Sequence, residues 1–313
     1  MVTDFSEPER RFEPVGGYRS DNLISNERSI QEVLPELRQR RRTGAFIGVG
    51  PEQNFTYVLA LEPAIAFVVD IRRDNLLLHL LYKALAEASE DRAGFLSRLF
   101  GRIRPSGVSG DTSVEVLFAA LARSPRSPTL ARDTMRDVVA QLTRAHGFSL
   151  SAGDVSTMSA LYDKFVTEGP LMRWDAGGAW IPTYAELMAA QDPAGVRGSY
   201  LASEEAFQTF RRYQVRNRIV PVVGDFAGGT ALRAIGRHLT SQGLAISAFY
   251  TSNVEVYLGA GVPRFEANVA ALPIDDRSVF VRTRFQMTAE TNGRPDFRTS
   301  TYTVPVRDYL SPR

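Results

Sequence analysis

The clearest chemical signal in the chain is a pair of glycines followed by one carboxylate. Gly48-Val49-Gly50 closes a short apolar run, and bare backbone there lets a ligand approach main-chain amides closely. Amides at a helix start attract negative or electron-rich groups. Asp70 stands 20 positions after Gly50, where a carboxylate accepts hydrogen bonds from two ribose hydroxyls. The chemistry expected is recognition of a nucleotide-type small molecule. Gly48, Val49, Gly50, Gln53 and Asn54 are its predicted contacts on the turn, and Asp70, Ile71 and Arg72 those at the next strand end.

Glu52 occupies the place of a third glycine and narrows the choice of ligand. A carboxylate at a helix start repels a pyrophosphate by like charge. S-adenosylmethionine has no phosphate and carries a cationic sulfonium and amine, so an adenosyl ligand is expected rather than NAD. Asp225 and Phe226 end a later strand, where open α/β sheets bind their ligands. Asp225 either orients an amine of substrate or cofactor, or caps the helix that follows. After the next strand, Tyr250, Asn253 and Glu255 are candidates to meet a substrate, while Ser252 as a helix cap gives a plainer account of the same stretch.

His79 and Lys83 lie one helical turn apart and share a face, which suits either a general base or a locally paired surface. His146 and His238 are isolated, so three dispersed histidines make no metal site. Neither a G-x-S-x-G nucleophile elbow nor a G-x-x-x-x-G-K-[ST] phosphate loop is present. Residues 16–22, polar and marked by glycine, read as a lid over the turn or as a surface loop.

Positioning these groups requires alternating strands and helices. Residues 44–50 read as a strand, 51–61 as a helix with Pro51 at its first position, and 64–69 as a strand apolar on both faces. Together they make one βαβ unit. An amphipathic helix is expected over 25–40, with Pro35 kinking or dividing it. Apolar residues recur at helical spacing over 76–88, 113–123, 129–146, 155–166, 184–191 and 203–216. That is more helix than one crossover needs. The sheet resumes with strands at 219–223 and 244–250, and 278–287 with 299–306 read as an antiparallel hairpin. The expected fold is therefore α/β: a Rossmann-like, mostly parallel sheet with flanking helices, a large helical insertion and a C-terminal antiparallel hairpin. Its parts are residues 1–43, a segment packing on the core; 44–75, the first βαβ unit; 76–218, the insertion; and 219–313, the second half of the core.

Composition fits a globular protein, with 44% hydrophobic and 23% charged residues in 313. No run approaches the roughly 20 apolar residues of a membrane span, and residues 1–19 carry no apolar signal region. The chain has no cysteine, which excludes disulfides, thiol nucleophiles and thiolate metal sites. A cytoplasmic location is expected. Of the basic residues, 35 are arginine and two, Lys83 and Lys164, are lysine. A GC-rich coding sequence accounts for that bias, although arginine's fork also suits phosphate and carboxylate. The arginines are scattered, so no nucleic-acid-binding stripe is expected; the expected partner is a small-molecule ligand.

These motifs resemble the class I S-adenosylmethionine-dependent methyltransferase fold. More narrowly, Ile47-Gly48-Val49-Gly50-Pro51-Glu52-Gln53-Asn54-Phe55, Val69-Asp70-Ile71-Arg72-Arg73, Val222-Val223-Gly224-Asp225-Phe226-Ala227-Gly228 and Phe249-Tyr250-Thr251-Ser252-Asn253-Val254-Glu255 look like a bacterial family that joins a Rossmann-like core to a helical insertion. The likeness covers about residues 16–258. It implies S-adenosylmethionine as cofactor and a small-molecule acceptor held by Asp225, Tyr250 and Asn253, with rate gained from proximity and alignment. There are two departures: Phe46 stands where the methyltransferase glycine motif usually begins with an acidic residue, and Glu52 replaces its third glycine. They leave two other functions open, a non-catalytic scaffold binding a metabolite or protein and an NAD-dependent oxidoreductase.

Overall fold

The computed structural model describes residues 1–11, 22–174, 181–291 and 294–311. A single six-stranded sheet runs in the order β3-β2-β1-β4-β5-β6. Its strands are β1 (Ala45–Gly48), β2 (Ile65–Asp70), β3 (Ile219–Val223), β4 (Ile246–Ser252), β5 (Val279–Thr291) and β6 (Arg294–Pro305). The first five pair in parallel, and β6 returns antiparallel to β5. The chain has the expected α/β fold with a closing hairpin.

Strand side chains alternate between two cores. Phe46, Ala66, Val68, Ala248 and Tyr250 face one, which continues into the helices between β2 and β3. Ala45, Ile47, Phe67, Val69 and Phe249 face the other, closed by the helices Ala231–Ser241 and Val262–Ala270. Because both faces are covered, β1 and β3 are buried throughout.

Several boundaries differ from the sequence reading for local reasons. Pro35 divides the expected 25–40 helix: a 3₁₀ turn, Arg28–Val33, precedes the α-helix Leu34–Gln39, which takes Pro35 into its first turn. The helix expected over 129–146 ends as α-helix Pro128–Ala140 and goes on as a π-turn, Gln141–Ala145. Helix Arg92–Leu99, capped by the Asp91 side chain, was not anticipated. Among the described residues, no helix is long and apolar enough to cross a membrane.

Both outer strands are finished by early parts of the chain. At the β3 edge, Val223 N donates to Ser6 Oγ at 3.0 Å, and Glu7 N donates to Val223 O at 2.8 Å. At the β6 edge, Thr301 N donates to Glu32 Oε2 at 2.8 Å.

Candidate functional site

The ends of the central parallel strands gather around a cleft of about 230 Å³. Val49 comes from the glycine turn, Asp70 and Ile71 from the end of β2, and Asp225, Phe226 and Ala227 from the loop after β3. Val254, Tyr257 and Leu258 face it from beyond β4. Five of the expected cofactor contacts, Val49, Asp70, Ile71, Asp225 and Phe226, thus line one cleft. It lies outside the carboxyl ends of parallel strands, where the strand order reverses between β1 and β4. Arg10, Arg11 and Arg264 add positive charge to its walls.

The loop bearing Asp225 is held from behind. Asn268, buried on the helix Val262–Ala270, donates through Nδ2 to Phe226 O at 2.9 Å and Gly228 O at 2.8 Å. Asp225 Oδ1 accepts from Ala227 N at 2.8 Å, and Oδ2 meets Arg10 Nη1 at 3.4 Å. Asp225 therefore serves a local turn and faces the cleft at once.

The glycine turn departs from expectation. A side chain at Gly48 would collide with Asn54 Oδ1 and the Phe46 ring, so this glycine makes room for the protein's own packing. Asn54 Nδ2 ties the carbonyls of Val49, Gly50 and Pro51 together at 2.9, 3.1 and 2.8 Å. Gly50 has φ +77°, which favours glycine, and its carbonyl accepts from His79 Nε2 at 2.9 Å. Gln53 Nε2 reaches Tyr250 OH at 3.2 Å. Gly48, Gly50, Gln53 and Asn54 thus build the turn's interior instead of the cleft wall.

Arg72 is an ion-pair partner. Its N and Nε donate to Asp70 Oδ1 at 2.9 and 3.1 Å, and its Nη2 to Oδ2 at 3.1 Å, with both residues buried. Asp70 keeps only part of its acceptor capacity for a ligand. Glu52 also turns inward. Its Oε1 accepts from Ser25 N at 3.1 Å, and burial pushes its carboxyl up to about 7. The expected repulsion of a phosphate at the helix start therefore has no charge at the surface behind it.

The β4 candidates serve a second buried network. Tyr250 OH donates to Glu27 Oε1 at 2.9 Å, Ser252 Oγ donates to the same oxygen, and Thr283 Oγ1 donates to Glu27 Oε2 at 2.5 Å. Burial pushes the Glu27 carboxyl up against these hydroxyl donors, which pull it down. Glu255 pairs with Arg282 at 2.9 Å, and Asn253 Oδ1 lies 3.3 Å from Ser252 Oγ. Tyr250, Asn253 and Glu255 do not line the cleft. His79 and Lys83 separate as well: Lys83 Nζ bonds Glu87 at 2.5 Å and Gln214 O at 2.6 Å. Residues 16–21, read as a lid, lie outside the described residues.

Sequence reasoning missed the N-terminal strap. Glu7 Oε1 accepts from Thr230 N at 2.7 Å and Ala231 N at 2.8 Å, and Oε2 from Asp225 N at 3.3 Å. A carboxylate from 223 positions away thus caps the helix Ala231–Ser241, whose own N-cap, Thr230, makes no side-chain cap bond. Further along the strap, Arg10 N donates to Ile71 O at 2.9 Å and carries Arg10 to the cleft. Glu7→Ala is expected to lower stability by about 1–2 kcal/mol. Chemical denaturation measures it; an unchanged midpoint would show that water replaces the cap without loss.

Residues 22–306 match the family described as "Domain of unknown function (DUF7790)". The chain belongs to that family. The DUF7790 match spans the sheet and the helices between β2 and β3 together, and it begins after the strap of residues 1–11. No curated protein matches the chain.

Proposed function

We propose that the chain binds a nucleoside-type small molecule in the cleft over β1 to β4, with S-adenosylmethionine and its demethylated product as the reference ligands. The convergence of Val49, Asp70, Ile71, Asp225 and Phe226 on one cleft carries this reading. Asp225 offers a carboxylate to an exocyclic amine, Val49, Ile71 and Phe226 offer apolar walls to a base, and Arg11 and Arg264 suit a terminal carboxylate. Sites that enclose drug-sized ligands run to roughly 300–1,000 Å³, so about 230 Å³ suits a nucleoside better than a dinucleotide. That favours the adenosyl reading over an NAD-dependent oxidoreductase.

Methyl transfer finds less support than binding. Phe46 and Asn54 fill the space beside Gly48, and Tyr250 is committed to Glu27. These two observations favour a second reading, a non-catalytic scaffold that binds a metabolite. Calorimetric titration with S-adenosylmethionine, S-adenosylhomocysteine, adenosine and NAD separates the possibilities. The expected result is saturable binding of the adenosyl compounds, weakened at least tenfold by Asp225→Ala and less by Asp225→Asn. Silence from all four ligands with the parent protein would sink the proposal, and binding of NAD alone would replace it with the oxidoreductase.

A further inference from the structure

A second concave surface lies on the helical insertion, away from the strand ends. The helix Pro128–Ala140, with its π-turn continuation, and the helix Ala152–Glu168 enclose a groove of about 870 Å³. Its floor is apolar, built from Met135, Val139, Val155 and Val166. Its rim carries four exposed arginines, Arg126, Arg132, Arg136 and Arg144, against a single carboxylate among the lining residues, Asp163. Arg136 also pairs with Asp133 at 2.6 Å and Asp137 at 3.1 Å, both outside the lining. The remaining three cations have no ion-pair partner among the described side chains. The π-turn that contributes Thr143 and Arg144 is a rare geometry often found at functional positions.

We infer that this groove docks an acidic amphipathic helix of a partner protein. An apolar floor takes the apolar face of such a helix, and the arginine rim takes its carboxylates. The spread of charge selects among anions. Arg132 and Arg144, neither paired with a described carboxylate, stand twelve residues apart, about 18 Å along a helix, so free positive charge sits at both ends of the wall. A fatty-acid anion places one charge at one end, whereas a three-turn acidic helix places several along the same length. This inference is independent of the cleft at the strand ends.

The test titrates the full chain into a fluorescently labelled 18-residue peptide with leucines on one helical face and glutamates on the other. Anisotropy is expected to show saturable binding that weakens as salt rises. The double reversal Arg132→Glu with Arg144→Glu should weaken it at least tenfold, and Met135→Asp should do so separately. Both arginines are exposed and make no ion pair with a described carboxylate, and thermal unfolding of each variant checks that the fold survives the reversal. Equal binding of a scrambled peptide of the same composition, or indifference to the reversals, overturns the proposal. Binding of hexadecanoate instead of the peptide assigns the groove to a lipid anion and also overturns it. So does a dimer of this chain that the reversals dissolve.

Discussion

Phe55→Ala is expected to lower the unfolding free energy by roughly 3–5 kcal/mol. Phe55 is fully buried on the helix Gln53–Leu61, immediately after the glycine turn. Its ring lies 4.6 Å from Phe210, 5.2 Å from Tyr200 and 5.3 Å from both His79 and Tyr82, centroid to centroid. Truncation forfeits the transfer energy of the ring and leaves a cavity whose other walls belong to the segment between β2 and β3. Denaturant unfolding followed by far-ultraviolet and near-ultraviolet signals should give one coincident transition, shifted to lower denaturant. A loss below about 1 kcal/mol, or two separated transitions, would show that the insertion and the sheet do not share this core.

The second large effect is electrostatic, and in the parent protein an opposing slope masks part of it. Burial raises the Glu52 carboxyl from 4.5 to about 7 and lowers the His79 imidazole from 6.5 to about 4. Between pH 4.5 and 7 the native chain keeps a proton on Glu52 that the unfolded chain has released, so stability falls as pH rises. Between pH 4 and 6.5 the unfolded chain holds a proton that native His79 lacks, so stability rises with pH. Over pH 4.5–6.5 these two contributions oppose each other, and Glu27, whose carboxyl burial also raises, adds to the fall. Glu52→Gln removes the first and should raise stability at pH 8 by roughly 3 kcal/mol, with no gain at pH 4. The gap between the two profiles opens from pH 4.5 to about 7. His79→Gln removes the rising slope and should leave a decline with rising pH. Parallel profiles for parent and Glu52→Gln would show that Glu52 is charged in the native protein at neutral pH.

How much of this could be read from residues alone depends on the range of the interactions. The βαβ unit was legible because apolar runs, Pro51 and the glycines act locally. The place of Asp225 and Phe226 at the strand-end cleft was legible because the apolar run 219–223 followed by Gly-Asp ends a strand there. Val254, Tyr257 and Leu258 could have been found, since their spacing of three and four puts them on one helical face. Other features had no local signature. Whether Gly48 is bare for a ligand or for Asn54 depends on a side chain six positions later turning back. That Glu52 faces inward depends on Ser25, and the capping role of Glu7 depends on a helix beginning near position 231. Burial and long-range contact decide these cases, and spacing in the sequence records neither.

The covered outer edges of the sheet carry a kinetic consequence. Ser6 meets Val223 across 217 positions and Glu32 meets Thr301 across 269, so each edge is covered only when segments far apart in the chain meet. Contacts of such separation slow folding. Until they form, β3 and β6 present unpaired backbone that can recruit other chains. The segments that cover these edges therefore guard the sheet against self-association once they dock.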